Sequence, residues 1–293
     1  MPENKIKILV LGATGMLGQM VMKYLARDWG FSVFGTQPQR NGKWLYLDAL
    51  KGGKHLKRIF NNRGFDYCIN CIGITKNKID EADVVSAAKT IKINALFPHE
   101  LSFLAAKNGI KVIQISSDGV FSGKNKFYDE SFPCDCQDVY GRSKVLGEVD
   151  APDFLNIRCS IVGPSPFEKG GLYQWFISQP NGAKVPGYTN HIWNGVTTLQ
   201  FAQLCRLIIR KDIFKRMRKE SKVFHFAPNQ PVTKYELIVL LKKVLDKDIT
   251  VVRATSGSKA VKRILISKYA IMKKLYPRVV PMVSALKEMV RGF

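Results

Sequence analysis

Tyr140 and Lys144 stand four residues apart in Tyr140-Gly-Arg-Ser-Lys144, so on a helix they share one face. An ammonium beside a phenol favours the phenolate, and so draws the pKa down from its ordinary value of about 10 and lets the oxygen exchange a proton with a carbonyl or alcohol. A hydroxyl that reaches the same oxygen would orient it. Ser117, in Ser116-Ser-Asp-Gly-Val-Phe-Ser-Gly123 at the end of an apolar run, is the candidate. Alone, a Tyr-x-x-x-Lys spacing describes many exposed helix faces; it gains meaning from a second cluster near the start of the chain. There Gly12-Ala-Thr-Gly15-Met-Leu-Gly18 follows an apolar segment and opens an amphipathic one. Glycines at such a strand-to-helix turn let backbone amides approach a pyrophosphate, whose charge the helix N-terminus favours. Gly12, Thr14, Gly15, Met16, Leu17 and Gly18 are therefore read as a dinucleotide cradle.

A site that prefers NAD would place a carboxylate at the end of the second strand, to accept from the ribose 2′-hydroxyl. Here the segment is Thr36-Gln-Pro-Gln-Arg40, with no carboxylate and one arginine. Arg40 can neutralise a 2′-phosphate, which favours NADPH, with NADH as the second option. Asp48, after the third strand, is a candidate for contact with the adenine, with a plain turn carboxylate as the alternative.

These clusters need a frame, and the first half alternates short apolar runs with helical patterns, as βαβ units do. Strands are expected at Lys5 to Leu11, Phe31 to Thr36, Trp44 to Leu47, Tyr67 to Cys71, Lys111 to Ile115 and Leu155 to Ser160. Helices are expected at Leu17 to Trp29, His55 to Asn61, roughly Asp80 to Asn108, and from Tyr140 to Glu148. The expected fold is α/β, a Rossmann-type doubly wound parallel sheet with a smaller C-terminal α/β substrate lobe. The dinucleotide-binding domain spans 1–160, and the lobe, interleaved with the sheet, spans 161–293. Gly163 to Asn194, rich in Gly, Pro and aromatics, reads as a binding loop. Beyond it a helix is expected at Thr198 to Ile213 and a strand at Phe224 to Ala227. A capping box, Thr233 with Glu236, opens a helix at Tyr235 to Asp246, and a strand follows at Ile249 to Ala254.

The chain has 293 residues, with hydrophobic residues at 46% and charged residues at 24%, close to the globular average, which argues against wholesale disorder or a coiled coil. No apolar run approaches the length of a membrane span, and no signal-peptide pattern opens the chain, so a soluble cytoplasmic protein is expected. The formal charge of +23 is uneven. Residues 1–200 hold 24 Lys and Arg against 17 Asp and Glu, whereas residues 201–293 hold 22 against 6. That field would draw in anionic ligands, but no nucleic-acid-binding signature accompanies it, so nucleic acid is not an expected partner. Cys68 and Cys71 have a CxxC spacing on a strand, where alternation sends them to opposite faces, and Cys134 and Cys136 have no histidine nearby; no metal site is expected.

Taken together, these motifs resemble the extended short-chain dehydrogenase/reductase family and, within it, the dTDP-4-dehydrorhamnose reductase-like branch of sugar-nucleotide enzymes. The resemblance covers nearly the whole chain. It runs through the glycine turn, Asn70-Cys-Ile-Gly73, Asn94, Ser116-Ser-Asp with Val120-Phe121, and Tyr140 to Glu148. It continues in Arg158-Cys-Ser-Ile-Val-Gly-Pro164 and Trp193-Asn-Gly-Val-Thr-Thr198. It implies a catalytic triad of Ser117, Tyr140 and Lys144 with Asn94 in support, and cofactor contacts that include Cys71, Ile72, Gly73, Tyr140 and Lys144, the lysine holding the nicotinamide ribose. The nucleotide-sugar would lie between sheet and lobe, against Ser117, Asp118, Gly119, Trp193 and Asn194. The sequence leaves a homodimer open. Two departures concern the sugar: the family usually has Thr at position 117 followed by Asp-Tyr, where this chain has Ser117-Asp118-Gly119, and it tends to have Trp where this chain has Ile161. The implied activity is NADP-dependent reduction of a nucleotide-linked 4-keto-6-deoxy sugar in deoxysugar or polysaccharide precursor biosynthesis. A sugar-nucleotide epimerase on the same scaffold and a non-catalytic NADP-binding regulatory subunit are the alternatives. A dehydratase is disfavoured because Gly119 stands where a glutamate would be needed.

Overall fold

The computed structural model describes residues 5–40, 42–61, 63–125, 127–167, 171–257 and 260–292. The first half contains β1 (Ile6–Leu11), α1 (Met16–Leu25), β2 (Phe31–Gln37), β3 (Leu45–Tyr46), α2 (Gly52–Phe60), β4 (Tyr67–Asn70), α3 (Val84–Ile91), α4 (Phe97–Lys107), β5 (Lys111–Ile115), α5 (Val139–Leu146) and β6 (Phe154–Arg158). The second half begins with β7 (Ile161–Val162), α6 (Leu172–Ile177), β8 (Ala183–Tyr188), β9 (His191–Trp193), β10 (Val196–Thr197), α7 (Thr198–Arg210) and α8 (Phe214–Glu220). It ends with β11 (Val223–His225), β12 (Val232–Thr233), α9 (Lys234–Leu245), β13 (Ile249–Ala254), β14 (Val261–Arg263), α10 (Ala270–Leu275) and α11 (Met282–Gly292).

Seven parallel strands form the main sheet in the order β11-β6-β5-β4-β1-β2-β3. Its strands are apolar on both faces, and successive side chains go to different cores. Ile8 and Val10 join the cluster under α1 and α7, while Leu9 and Leu11 join the cluster under α2 and α4. That division is what a doubly wound sheet requires. Cys68 and Cys71 likewise fall to opposite sides, as the strand alternation predicts. The seventh strand, β11, returns from the second half of the chain, and the smaller parallel pair β8–β13 and the three-stranded β12-β9-β14 sheet build the lobe.

Three segments depart from expectation. Helix α1 ends at Leu25, not Trp29, because Asp28 turns back: its carboxylate accepts from Gly30 N and from the side chains of Arg206 and Arg210 on α7. The two guanidiniums hold that carboxyl down at about 2, Arg210 contributing most. The stretch Asp80 to Asn108 is two helices joined by a π-helical turn at Lys92–Leu96. Pro98, at the start of α4, has no N–H to offer the carbonyl of Asn94, and Gly147 packs so closely against that oxygen that a Cβ there would come within 2.0 Å of it. Finally, Gly163 to Asn194, read as a loop, contains α6, β8 and β9. The alternation Ala183-Lys-Val-Pro-Gly-Tyr188 buries Val185 and Gly187 and exposes Lys184 and Pro186, so it belongs to a half-covered strand.

Candidate active site

Parallel pairing collects the C-terminal ends of the strands at one edge, and a cleft of about 870 Å³ opens there between sheet and lobe. At one end lies the turn after β1. Gly12 has φ +76°, a conformation open to glycine, and a Cβ on Gly18 would stand 2.0 Å from the carbonyl oxygen of Gly12. Only hydrogen at position 18 lets α1 start this close beneath the turn. Gly12, Thr14, Gly15, Met16 and Leu17 line the cleft; Gly18 works from behind. Cys71, Ile72 and Gly73 face them from the end of β4, and Asp48 lies beyond, its carboxylate capping a short turn by accepting from Leu50 N at 3.0 Å. This cradle, shaped by glycine and backed by a helix N-terminus, fits a dinucleotide pyrophosphate. Arg40 lies on the exposed surface outside the cleft lining, its guanidinium 4.9 Å from the centre of the Tyr46 ring.

At the other end, β5 delivers Ser117 and α5 delivers Tyr140 and Lys144. A buried amide ladder sets the two elements against each other. Asn70 donates to Gln114 (2.8 Å), and Gln114 donates to Asn156 (3.2 Å) and to the carbonyl of Gly147 (2.7 Å) at the end of α5. The Tyr140 hydroxyl then donates to Ser117 Oγ at 3.0 Å; Ser117 Oγ also accepts from Gly119 N at 2.9 Å and donates to Asp118 Oδ1 at 3.4 Å. Asn94 does not touch the hydroxyls of Ser117 and Tyr140. Its side chain clasps both backbone groups of Ile74 (2.8 and 2.9 Å) and donates to Ser143 Oγ at 3.2 Å, fastening the loop after β4 to α5.

The electrostatics correct one expectation. Lys144 does not lower the phenol: its Nζ turns back to the carbonyl of Ile115 at 2.9 Å, and burial pushes Tyr140 up to about 12 against the opposing Ser117 hydrogen bond. Burial also pulls Lys144 down to about 8, with the Glu148 carboxylate opposing. Tyr140 therefore holds its proton at neutral pH, the state required of a group that will donate one.

Trp193 and Asn194, expected at the substrate, lie inside the lobe and not on the cleft wall. Asn194 spends its amide on Leu265, donating to its carbonyl (2.8 Å) and accepting from its N–H (2.9 Å). Trp193 is 4% exposed within the main core cluster. Trp193→Ala should accordingly cost about 3–5 kcal/mol of stability, as for other buried Trp truncations, with NADPH affinity unchanged; denaturant unfolding and cofactor titration measure the two effects. The lobe instead contributes Lys234, at the first turn of α9 with Nζ 4.5 Å from the centre of the Trp193 ring, and Arg263, whose Nε donates to the carbonyl of Phe121 at 2.9 Å. Neither carries a local motif, and both lie more than ninety residues from Tyr140 in sequence. Lys76 and Lys78, on the loop after β4, add further positive charge to the rim, Lys76 paired with Asp138 at 2.6 Å.

The family model of the RmlD substrate binding domain matches residues 6–162, more than half of the chain and the whole stretch from β1 to Lys144 and β6. The chain belongs to this family. Among curated relatives it is similar to methionine adenosyltransferase 2 subunit beta of Danio rerio, at 24% identity over 249 residues, 79% of this chain and 71% of that protein. Among solved structures it resembles a dTDP-4-dehydrorhamnose reductase of Clostridium acetobutylicum (TM-score 0.77, 22% identity, 97% of this chain and 98% of the other). A second, the dTDP-4-dehydrorhamnose reductase of Bacillus anthracis in complex with NADP, gives a TM-score of 0.79 at 17% identity over 99% of this chain and 100% of the other. In this RmlD-family chain the room beside Gly119 is already taken. A Cβ there would stand 2.7 Å from Tyr140 Cε1 and 3.1 Å from Ser117 Oγ, so the ring edge of Tyr140 occupies the space a side chain would need.

Proposed function

We propose that this chain is a cytoplasmic, NADPH-dependent reductase of a nucleotide-linked 4-keto-6-deoxy sugar. The observation that carries the reading is the Tyr140 hydroxyl, protonated and held at 3.0 Å from Ser117, in the same cleft as the glycine turn. When bound, the nicotinamide supplies the hydride that reduces the keto carbon. The chain's own residues do the rest. Backbone amides of the Gly12–Gly18 turn hold the pyrophosphate, Ser117 orients the substrate oxygen, and Tyr140 donates its proton as charge develops there. Lys144, its ammonium turned onto the Ile115 carbonyl, serves the cofactor ribose. Asn94 fixes the loop that carries Gly73 and Ile74. Lys234 and Arg263 provide a cationic wall for the diphosphate of the sugar nucleotide, and burial, which lowers the pKa of Lys234, makes a neutralising anion more favourable there.

A regulatory subunit without chemistry has no need of a buried tyrosine aligned on a serine, so the reductase is preferred. The test is incubation with NADPH and a panel of 4-keto nucleotide sugars while following absorbance of the reduced cofactor; no consumption with any member of the panel rejects the assignment. Choice of cofactor rests on the missing carboxylate after β2 and on Arg40. NADPH should bind more tightly than NADH, and Arg40→Ala should shrink the difference by roughly tenfold, the worth of one hydrogen bond to a charged group. Titration showing NADH equal or better in the unmodified protein would refute the role of Arg40.

A further inference from the structure

A surface helix ordinarily turns its apolar side chains inward and its polar ones to water. Helix α3 does the reverse. Its buried residue is Thr90, whose Oγ1 donates to the Ser86 carbonyl at 2.8 Å, whereas Val84 and Val85 stand 80% and 73% exposed and Ile91 is half-exposed. Val84, Ala88 and Ile91 follow one another at steps of four and three residues, so they form one stripe on the outer face, with Val85 beside it. The stripe continues past the end of α3. Half-exposed Leu96 closes the π-helical turn, and Leu146, 61% exposed at the end of α5, lies alongside, its carbonyl 2.8 Å from His99 Nε2 on α4. Single apolar side chains on a surface are ordinary, but a contiguous row across two helices and the turn between them marks a contact surface.

The charges beside the stripe are sorted by end. Asp80, Glu81 and Asp83 stand before α3, and Lys89 and Lys92 stand at its far end. All five are exposed, and among the described residues no ion pair engages any of them. An anionic lipid surface or a nucleic acid would be repelled by the acidic end. What complements this face is the same face turned end for end.

We infer that the outer face of α3, with Leu96 and Leu146, is where a second copy of this chain docks, the two α3 helices antiparallel across a two-fold axis near Ala88. In that arrangement the acidic end of one helix meets Lys92 of the other, and the two valines of one meet Ile91 of the other. Alanine at the crossing lets the backbones approach closely. The face is also the back of the cleft wall: Ile93 lines the cleft from the same turn, and Asn94 beside it clasps Ile74. The helix that pairs is therefore the one that walls the site.

Sedimentation velocity and light scattering across a concentration series measure the association. The parent should run at twice the mass of one chain, with a dimer Kd of roughly 10 µM or tighter. Val84→Glu combined with Ile91→Glu should raise that Kd by at least about 100-fold, because each copy would then bury two carboxylates against an apolar row. Both side chains are exposed in a single copy, so the melting temperature measured below the Kd should match the parent. Glu81→Lys or Lys92→Glu alone sets like charges face to face and should weaken the dimer roughly tenfold at low salt. Mixed together, these two variants restore opposite charges at both ends and should pair with each other at close to the parental Kd. A parent that remains a single chain at roughly 100 µM, or a dimer untouched by Val84→Glu with Ile91→Glu, overturns the proposal. A mixture that pairs no more tightly than either charge variant alone overturns it as well, since the antiparallel arrangement requires the rescue. These outcomes do not depend on turnover, so a failure of the sugar panel leaves the interface standing.

Discussion

Tyr140→Phe should leave a folded protein that binds NADPH within about twofold of the parent and turns over roughly 10²–10⁴ times more slowly. The substitution deletes one oxygen. Its single partner is Ser117 Oγ, which keeps the amide of Gly119 and the carboxylate of Asp118, so no buried donor is stranded. The pyrophosphate cradle at Gly12–Gly18 lies at the far end of the cleft and receives nothing from the phenol. What disappears is the proton that must reach the substrate oxygen as hydride arrives at carbon. Because burial holds the phenol up at about 12, Tyr140 of the parent is in its donating form across the neutral range, so the deficit of the Phe variant relative to the parent should persist throughout that range. Stopped-flow measurement of cofactor oxidation beside fluorescence titration of NADPH separates the two quantities. A Phe variant with parental turnover would remove Tyr140 from the mechanism, and one with equally weakened NADPH binding would make the hydroxyl a cofactor contact instead.

Much of this was legible in the sequence because local chemistry dictates it. A glycine turn between strand and helix, and Tyr and Lys one helical turn apart, place their atoms within a few residues of chain, and the structure puts both on the expected elements. The parallel strands were readable for the same reason: runs apolar at every position, such as Ile8 to Leu11, have to be covered on both faces. Distances set by folding were not readable. The spacing of Tyr140 and Lys144 suggests an ammonium acting on a phenol, yet the lysine satisfies itself on the Ile115 carbonyl, a partner 29 residues away. Trp193 and Asn194 look like cleft residues because they precede a helix after a glycine-rich stretch, but that stretch folds into strands that turn both inward. Lys234 and Arg263 reach the cleft only because β9 pairs with β12 and β14, and no pattern along the chain announces such a pairing.

Gly18→Ala should produce the opposite dissociation from Tyr140→Phe: cofactor affinity lost, and catalytic groups intact. The added methyl carbon would meet the Gly12 carbonyl oxygen at 2.0 Å, its carbon at 2.7 Å and Ala13 Cα at 3.0 Å. All three are backbone atoms, so no side chain can swing aside, and either α1 slides outward or the turn after β1 opens. The turn has little freedom to do so: Gly12 N donates to Thr36 Oγ1 at 3.0 Å and Ala13 N to the Thr36 carbonyl at 2.9 Å, both on β2. Helix α1 must therefore move, although Leu17, Met20, Val21 and Leu25 anchor it in the core and Asp28 ties its far end to α7. The expected results are a lowered melting temperature and an NADPH Kd raised by roughly 100-fold, about the loss of two hydrogen bonds from backbone amides to an ionised phosphate. The Tyr140–Ser117 geometry, built on β5 and α5, does not depend on α1, so at saturating NADPH kcat should return to within a few fold of the parent. If Gly18→Ala binds NADPH normally, the turn at Gly12–Gly18 is a structural feature and the dinucleotide lies elsewhere; if kcat stays depressed at saturation, helix displacement reaches the triad through the sheet.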